Sequence, residues 1–176
     1  VEGYMDVISL HQRGITNVVG ALGTALTEQQ GWLLRKSTEQ IIWGFDADGA
    51  GQTAVTKSIA ILQKMKCDMR VLQIEGAKDP DEYLEKFGIE AMQNNIENAI
   101  KYIDFKIEYL KKNKNLNNVE DIVTYVKEVM GSLNNQDDLT KEIILSKISK
   151  DYAIDVDILK KNIKEESKET NDNKNC

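Results

Sequence analysis

Cysteine, histidine and proline are nearly missing from this sequence, and aromatic residues make up only 6% of it. Cys67 and Cys176 are the only cysteines. Two are too few for a thiolate zinc site, and they give no disulfide framework; a reducing cytoplasm fits. The one histidine, His11, reads as a packed or half-exposed helical side chain rather than a catalytic one. No apolar run approaches the roughly 18 residues that cross a bilayer, and no signal peptide opens the chain, so no membrane partner is expected. Positive charge is not in excess either. The formal net charge is −6; residues 1–88 carry 9 Lys and Arg against 12 Asp and Glu, and residues 89–176 carry 14 against 17. Neither half is a self-sufficient binder of phosphate backbone. Nucleic acid would have to be held through a metal or through protein outside this sequence. The chain opens at Val1 without a methionine, which reads as a fragment cut within a strand.

What is present is organised around Ile41–Gly51, Ile-Ile-Trp-Gly-Phe-Asp-Ala-Asp-Gly-Ala-Gly. The apolar run from Ile41 to Phe45 reads as a buried strand. It ends in Asp46 and Asp48. Residues two apart on an extended chain point the same way, so two carboxylates leave the strand end together. Gly49 and Gly51 allow a tight turn into a helix. In an open α/β sheet that edge is where ligands bind.

The 176 residues suffice for one α/β domain and a smaller partner. Val1 and Glu2 read as the tail of a first strand, and Asp6 as the cap of a helix to about Arg13. Ile15–Val19 forms a second strand, and residues 20–24 a small-residue loop. Thr27 with Gln30 makes a capping box for a helix to about Lys36. Trp32, on that helix, reads as core rather than as a base-stacking platform. A helix over about 50–66 follows, with Ala54, Ser58, Ile61, Leu62 and Met65 inward. Val71, Leu72 and Ile74, preceded by Met69, form a fourth strand, and Pro80 suits the first turn of a helix beginning at Asp79. Alternating strands and helices predict a Rossmann-like parallel four-stranded sheet of order 2-1-3-4, flanked by helices, with Glu2 facing Asp46 and Asp48. After Gly88 the strands stop. Ile96, Ile100, Ile103, Ile107 and Leu110 form one helical seam; Val119, Ile122, Val126, Val129 and Leu133 form another. Helices over about 139–151 and from Asp155 complete a small antiparallel α-helical bundle. The expected domains are residues 1–88 and 89–165, with a disordered tail over 166–176.

Glu2, Asp46, Asp48, Asp79 and Asp81 all fall at strand ends or just after them. Two carboxylates about 4 Å apart repel by roughly 4 kcal/mol at an effective dielectric near 20. Counter-charge is therefore required, and hard oxygen donors select Mg²⁺ or Mn²⁺ over zinc. Two such ions would activate an attacking hydroxyl and stabilise a departing phosphate oxygen. Lys78 is placed to offset charge or to touch a nucleotide phosphate. The competing explanation is that aspartates serve as caps and turns.

Glu2-Gly3-Tyr4-Met5-Asp6, Asp46-Ala47-Asp48-Gly49-Ala50-Gly51 and Lys78-Asp79-Pro80-Asp81-Glu82-Tyr83 resemble the three signature segments of the bacterial replicative DNA primase. These segments lie in its Toprim domain, the fold shared with topoisomerases. The loop Ala21–Thr27 is similar as well. The resemblance implies a nucleotidyltransferase that makes RNA primers on single-stranded DNA from ribonucleoside triphosphates, with Mg²⁺ or Mn²⁺. Carried over by motif, Glu2, Asp46 and Asp48 are the main metal ligands and catalytic residues. Asp79 and Asp81 extend the site, and Asp6 supports it. The family's zinc-binding module and basic lobe are not in this sequence, nor is a complete helicase-binding domain. The replicative helicase is therefore expected to bind elsewhere, and the 176 residues are expected to bind metal without synthesising primer. The alternatives are another Toprim enzyme (a topoisomerase or nuclease), a receiver-like regulatory module, and an interaction scaffold. Gly49-Ala50-Gly51 stands where topoisomerases resemble Arg-Glu-Gly, and no fifth strand with a lysine follows Ile74, as a receiver would need.

Overall fold

A computed structural model describes residues 1–22, 25–44, 52–134 and 136–162. The chain forms two compact units, Val1–Tyr102 and Ile103–Cys176. They divide later than Gly88, because the helix expected there does not close the first unit.

In the first unit, α1 (Tyr4–Gln12), α2 (Glu28–Ser37), β1 (Gln40–Trp43), α3 (Gln52–Lys64), β2 (Asp68–Val71), α4 (Pro80–Glu97) and β3 (Ile100–Lys101) follow in order. β1 and β2 pair in parallel, with Gln40 opposite Asp68 and Trp43 opposite Val71. β3 pairs antiparallel with β2 through Arg70↔Lys101 and Val71↔Ile100. Among the described residues the sheet is therefore three-stranded and mixed, in the order β1-β2-β3. This corrects two expectations. Neither Val1–Glu2 nor Ile15–Val19 is a regular strand, and Ile100 belongs to a strand rather than to a helical seam. The seam fails because Ile100 is stepped like a helical residue, yet α4 has already ended at Asn98. α4 is itself broken at Gly88, whose φ of 80° and ψ of 177° only glycine adopts without strain.

Several local signals act as their chemistry dictates. Thr27 and Gln30 close their capping box, with Gln30 N–H donating to Thr27 Oγ1 at 3.2 Å and Thr27 N–H donating to Gln30 Oε1 at 2.9 Å. Asp79 caps α4 by accepting from Glu82 N–H at 2.8 Å, with Pro80 in the first turn. Asp6 is not the residue before α1; it lies within the first turn and reaches back to accept Gly3 N–H at 3.1 Å. The core of this unit buries Leu10, Leu72, Tyr83, Leu84 and Met92, with Ile42 and Ile74 partly buried against them. Ser58, Ile59 and Leu62 form the inner face of α3, while Ala54 lies outside the described side chains. Cys67 is buried and free, and its thiol is pushed up by that burial. Trp32 is a clear departure. It is 59% exposed, because Gly31 rather than Trp32 faces α3.

The second unit holds α5 (Tyr102–Lys112), which begins one residue earlier, then α6 (Val119–Leu133), α7 (Asp138–Tyr152) and helical residues 156–162. They enclose one core built on Leu110, Tyr125, Val126, Val129, Met130, Leu133, Leu145 and Leu159. Val119, expected in the α6 seam, is 74% exposed in the first turn of that helix. Tyr125 sits 5.6 Å from Tyr152, ring to ring, and burial raises its hydroxyl well above the ordinary phenol value. No helix among the described residues is long and apolar enough to cross a membrane. The expected tail, residues 166–176, lies outside the described residues.

Candidate metal centre

Glu2 enters the site from a ladder-like pairing that falls short of a strand. The Val1 nitrogen donates to Val19 O at 3.0 Å, and Ala21 N–H returns to Val1 O at 3.0 Å. That alternation is the one made by parallel chains. Leu22 N–H continues it to Glu2 O at 3.1 Å. On its other side Val1 lies against Gly44, where a Cβ would stand 3.3 Å from Val1 Cγ1 and 3.4 Å from Leu72 Cδ2. Val1 is thus hydrogen-bonded to segment 19–22 and brings its side chain close to Gly44, the residue after β1. Glu2 is exposed, one residue beyond the Val1 that meets Gly44. Asp46 and Asp48 follow Gly44 and lie outside the described residues, so the convergence of all three is not described.

The third segment begins at Lys78, seven residues past the end of β2. Lys78 is exposed, and its backbone N–H donates to Glu82 Oε2 at 2.8 Å. Glu82 also pairs with Lys86 at 2.7 Å, and Lys86 Nζ donates to Gly76 O at 3.0 Å. The Lys86 hydrogen bond, then the Lys78 amide, hold the Glu82 carboxyl below its usual range. Asp79 is half-buried with Oδ1 committed to its cap; Asp81 is half-buried in the next turn. Among the described residues no three His, Cys, Asp or Glu side chains gather as a metal cage. Glu2 presents an exposed carboxylate, a hard oxygen donor of the kind Mg²⁺ and Mn²⁺ prefer.

Asp6 is 8% exposed, a burial that carboxylates reach only when hydrogen-bonded. Its bond to Gly3 fixes the turn between Glu2 and α1. His11 is exposed, with Nε2 3.3 Å from Val18 O, which leaves it at the foot of α1.

Two positioning groups had no functional reading in the sequence. Ser58 is 1% exposed and its Oγ accepts Leu26 N–H at 2.8 Å, which ties the loop after segment 19–22 to α3. The only signal was a small polar residue on an apolar face. Leu22 has a φ of 50° and is 67% exposed. A branched residue in the left-handed region is strained, which sequence alone does not reveal.

Residues 1–84 match the family model described as Toprim-like, and residues 103–157 match the DnaB-helicase binding domain of primase. The second match places a helicase-binding family segment inside this chain, where the sequence reading placed none. A DNA primase of Clostridium acetobutylicum is 42% identical over 149 residues, covering 85% of this chain and 25% of that protein. Among solved structures, the Aquifex aeolicus primase (zinc-binding and RNA polymerase domains) aligns with a TM-score of 0.66 and 29% identity, over 90% of this chain and 38% of that one. A DnaG primase catalytic domain bound to ssDNA aligns with a TM-score of 0.67 and 27% identity, over 85% and 50%. The chain spans about a quarter of the length of the curated relatives it matches.

Proposed function

The chain belongs to the bacterial DnaG-type DNA primases, and on that premise we propose that it carries the metal-binding half of a cytoplasmic nucleotidyltransferase making RNA primers on single-stranded DNA. The observation that supports this most is the closeness of Val1 to Gly44, which sets Glu2 next to a residue that meets the chain two positions before Asp46. In the proposal Glu2, Asp46 and Asp48 hold Mg²⁺ or Mn²⁺, with Asp79 and Asp81 extending the acidic surface. A divalent ion bound there supplies positive charge to an attacking hydroxyl and to a departing phosphate oxygen. The chain's own contribution is placement. Asp6 anchors the Gly3 amide and so sets the direction in which Glu2 leaves the pairing. Ser58 anchors the loop beside it. Lys78 meets the phosphates of a ribonucleoside triphosphate or offsets the carboxylates. Helicase contact belongs to the helical unit, as the match over 103–157 supports.

Mn²⁺ titration tests the reading. Glu2→Gln, and Asp46→Asn with Asp48→Asn, are each expected to weaken Mn²⁺ binding at least about tenfold, roughly 1.4 kcal/mol. Unchanged affinity in the double variant removes the basis for the site. The 176 residues are further expected to bind Mn²⁺ without making primer; primer synthesis by them overturns that part.

A further inference from the structure

α2 turns Gly31 toward α3, where a Cβ would lie 2.9 Å from Ile61 Cγ2 and 3.1 Å from Met65 Sδ. Its next two residues are therefore turned to solvent: Trp32 is 59% exposed and Leu33 65%. Lys36 is one turn beyond Trp32, on the same face, and exposed. Arg35 crosses to α3, donating from Nε to Met65 O at 3.2 Å. Met65 is flanked by Lys64 and Lys66, both exposed. Lys66 holds a φ of 56°, a left-handed position that glycine would take without strain. Lys36, Lys64 and Lys66 lie at the ends of α2 and α3, beside an Arg35 that is held by Glu39 and the Met65 carbonyl. The carboxylates at that end are engaged: Glu39 lies 3.6 Å from Arg35, and Asp68 lies 3.3 Å from Arg70. The exposed indole stands on α2 between Glu28 one turn before it and Lys36 one turn after it, both exposed, with the lysines toward the end of the helix. These lysines lie at the edge where β1 and β2 begin.

We propose that Trp32 and Leu33, with Lys36, Arg35, Lys64 and Lys66, form a platform for single-stranded nucleic acid. One base stacks on the Trp32 indole, and the adjoining phosphates meet the lysines. Stacking is open only to unpaired bases, and it is indifferent to sequence because every base has a π-face. The cations choose a polyanion over an apolar peptide for the same surface. The choice of single-stranded nucleic acid rests on the proposed function; the place of binding does not.

The experiment uses the two tryptophans as their own reporters, since Trp43 is buried at 6% exposure and Trp32 is not. The 176-residue chain is titrated in EDTA with a short oligothymidylate and with an abasic strand of equal length. Trp32 emission is expected to be quenched by the first and not by the second. Trp32→Phe should abolish the quenching and leave the Trp43 signal in place. Trp32→Ala should weaken binding by roughly 5- to 150-fold, the range for one lost base stack. Lys36→Ala with Lys66→Ala should keep the quenching at saturation but lower the salt dependence by about 0.7 for each phosphate no longer neutralised. Equal quenching by both strands, no quenching at saturation, or parental affinity in Trp32→Ala overturns the platform. EDTA separates this test from the metal reading: loss of Mn²⁺ binding in the acidic variants leaves it untouched, and failure here leaves Mn²⁺ binding untouched.

Discussion

The two units spend their residues differently. In the helical unit the described buried side chains are almost wholly apolar, and its described ion pairs, such as Lys114–Glu128 at 3.1 Å and Lys160–Glu142 at 2.9 Å, lie at the surface. The buried polar side chains among the described residues, Asp6, Ser9 and Ser58, are all in the α/β unit. Left-handed non-glycine backbone occurs in both units: Leu22 and Lys66 in the α/β unit, Ala153 at the end of α7 in the helical one. Buried polar groups are costly unless satisfied, and strained backbone persists only where its surroundings hold it. The unit that carries the buried polar side chains is the one for which the metal site is proposed. The helical unit, without such side chains among its described residues, follows packing.

This contrast can be broken, and the hardest test is in the helical core. Leu133 has no exposed surface, so Leu133→Ala should cost about 2–5 kcal/mol. Thermal unfolding followed by the Tyr125–Tyr152 near-ultraviolet signal should show the loss, and Mn²⁺ affinity should not move. A parallel fall in Mn²⁺ affinity would mean that the units do not divide the work. Ser58→Ala sharpens the comparison from the other side. It strands the buried Leu26 amide and should cost about 1–3 kcal/mol, read by chemical denaturation, with faster hydrogen exchange at Leu26. Asp79→Ala removes the α4 cap and should cost about 1 kcal/mol. If it also weakens Mn²⁺ binding, Asp79 serves as ligand and cap at once.

The smallest effect is electrostatic. Glu82 has a lowered folded pKa, so its bonds to Lys86 and to the Lys78 amide contribute fully above the ordinary carboxylate value and are lost as pH falls through the lower one. Carboxyl chemical shifts should place its titration below that of Glu82 in the unfolded chain, and Lys86→Ala should move it upward.

Local chemistry was legible in the sequence. Thr27 with Gln30, and Asp79 with Pro80, each involve partners three residues apart or fewer, and these were readable directly. The β1–β2 pair was also readable, with β2 ending three residues earlier than expected, because apolar runs mark strands better than their ends. The expected order 2-1-3-4 is not what the described residues form: their sheet is β1-β2-β3, and Val1–Glu2 meets 19–22 only through a short irregular pairing. Long-range choices were not legible. Ile100 has helical spacing, but its partner Val71 lies far back in the chain and decides the matter in favour of β3. Trp32 was expected inside on hydrophobicity alone; the closeness of α3 selects the smallest residue, Gly31, and turns the indole out. The burial of Asp6 follows from a bond to Gly3 that a capping rule anticipates only in kind. Within the site, residue types pointed to Glu2 and the segment 78–81, while Ser58 and Leu22 needed coordinates.

The central claim is that Glu2 shares one divalent ion with the carboxylates that follow β1. A crystal of the chain soaked in Mn²⁺ tests it through the anomalous signal. A peak is expected with Glu2 and at least one of Asp46 and Asp48 within oxygen coordination distance, about 2.0–2.5 Å. A peak held by other residues, or one at the 46/48 pair with Glu2 beyond reach of even a bridging water, contradicts it.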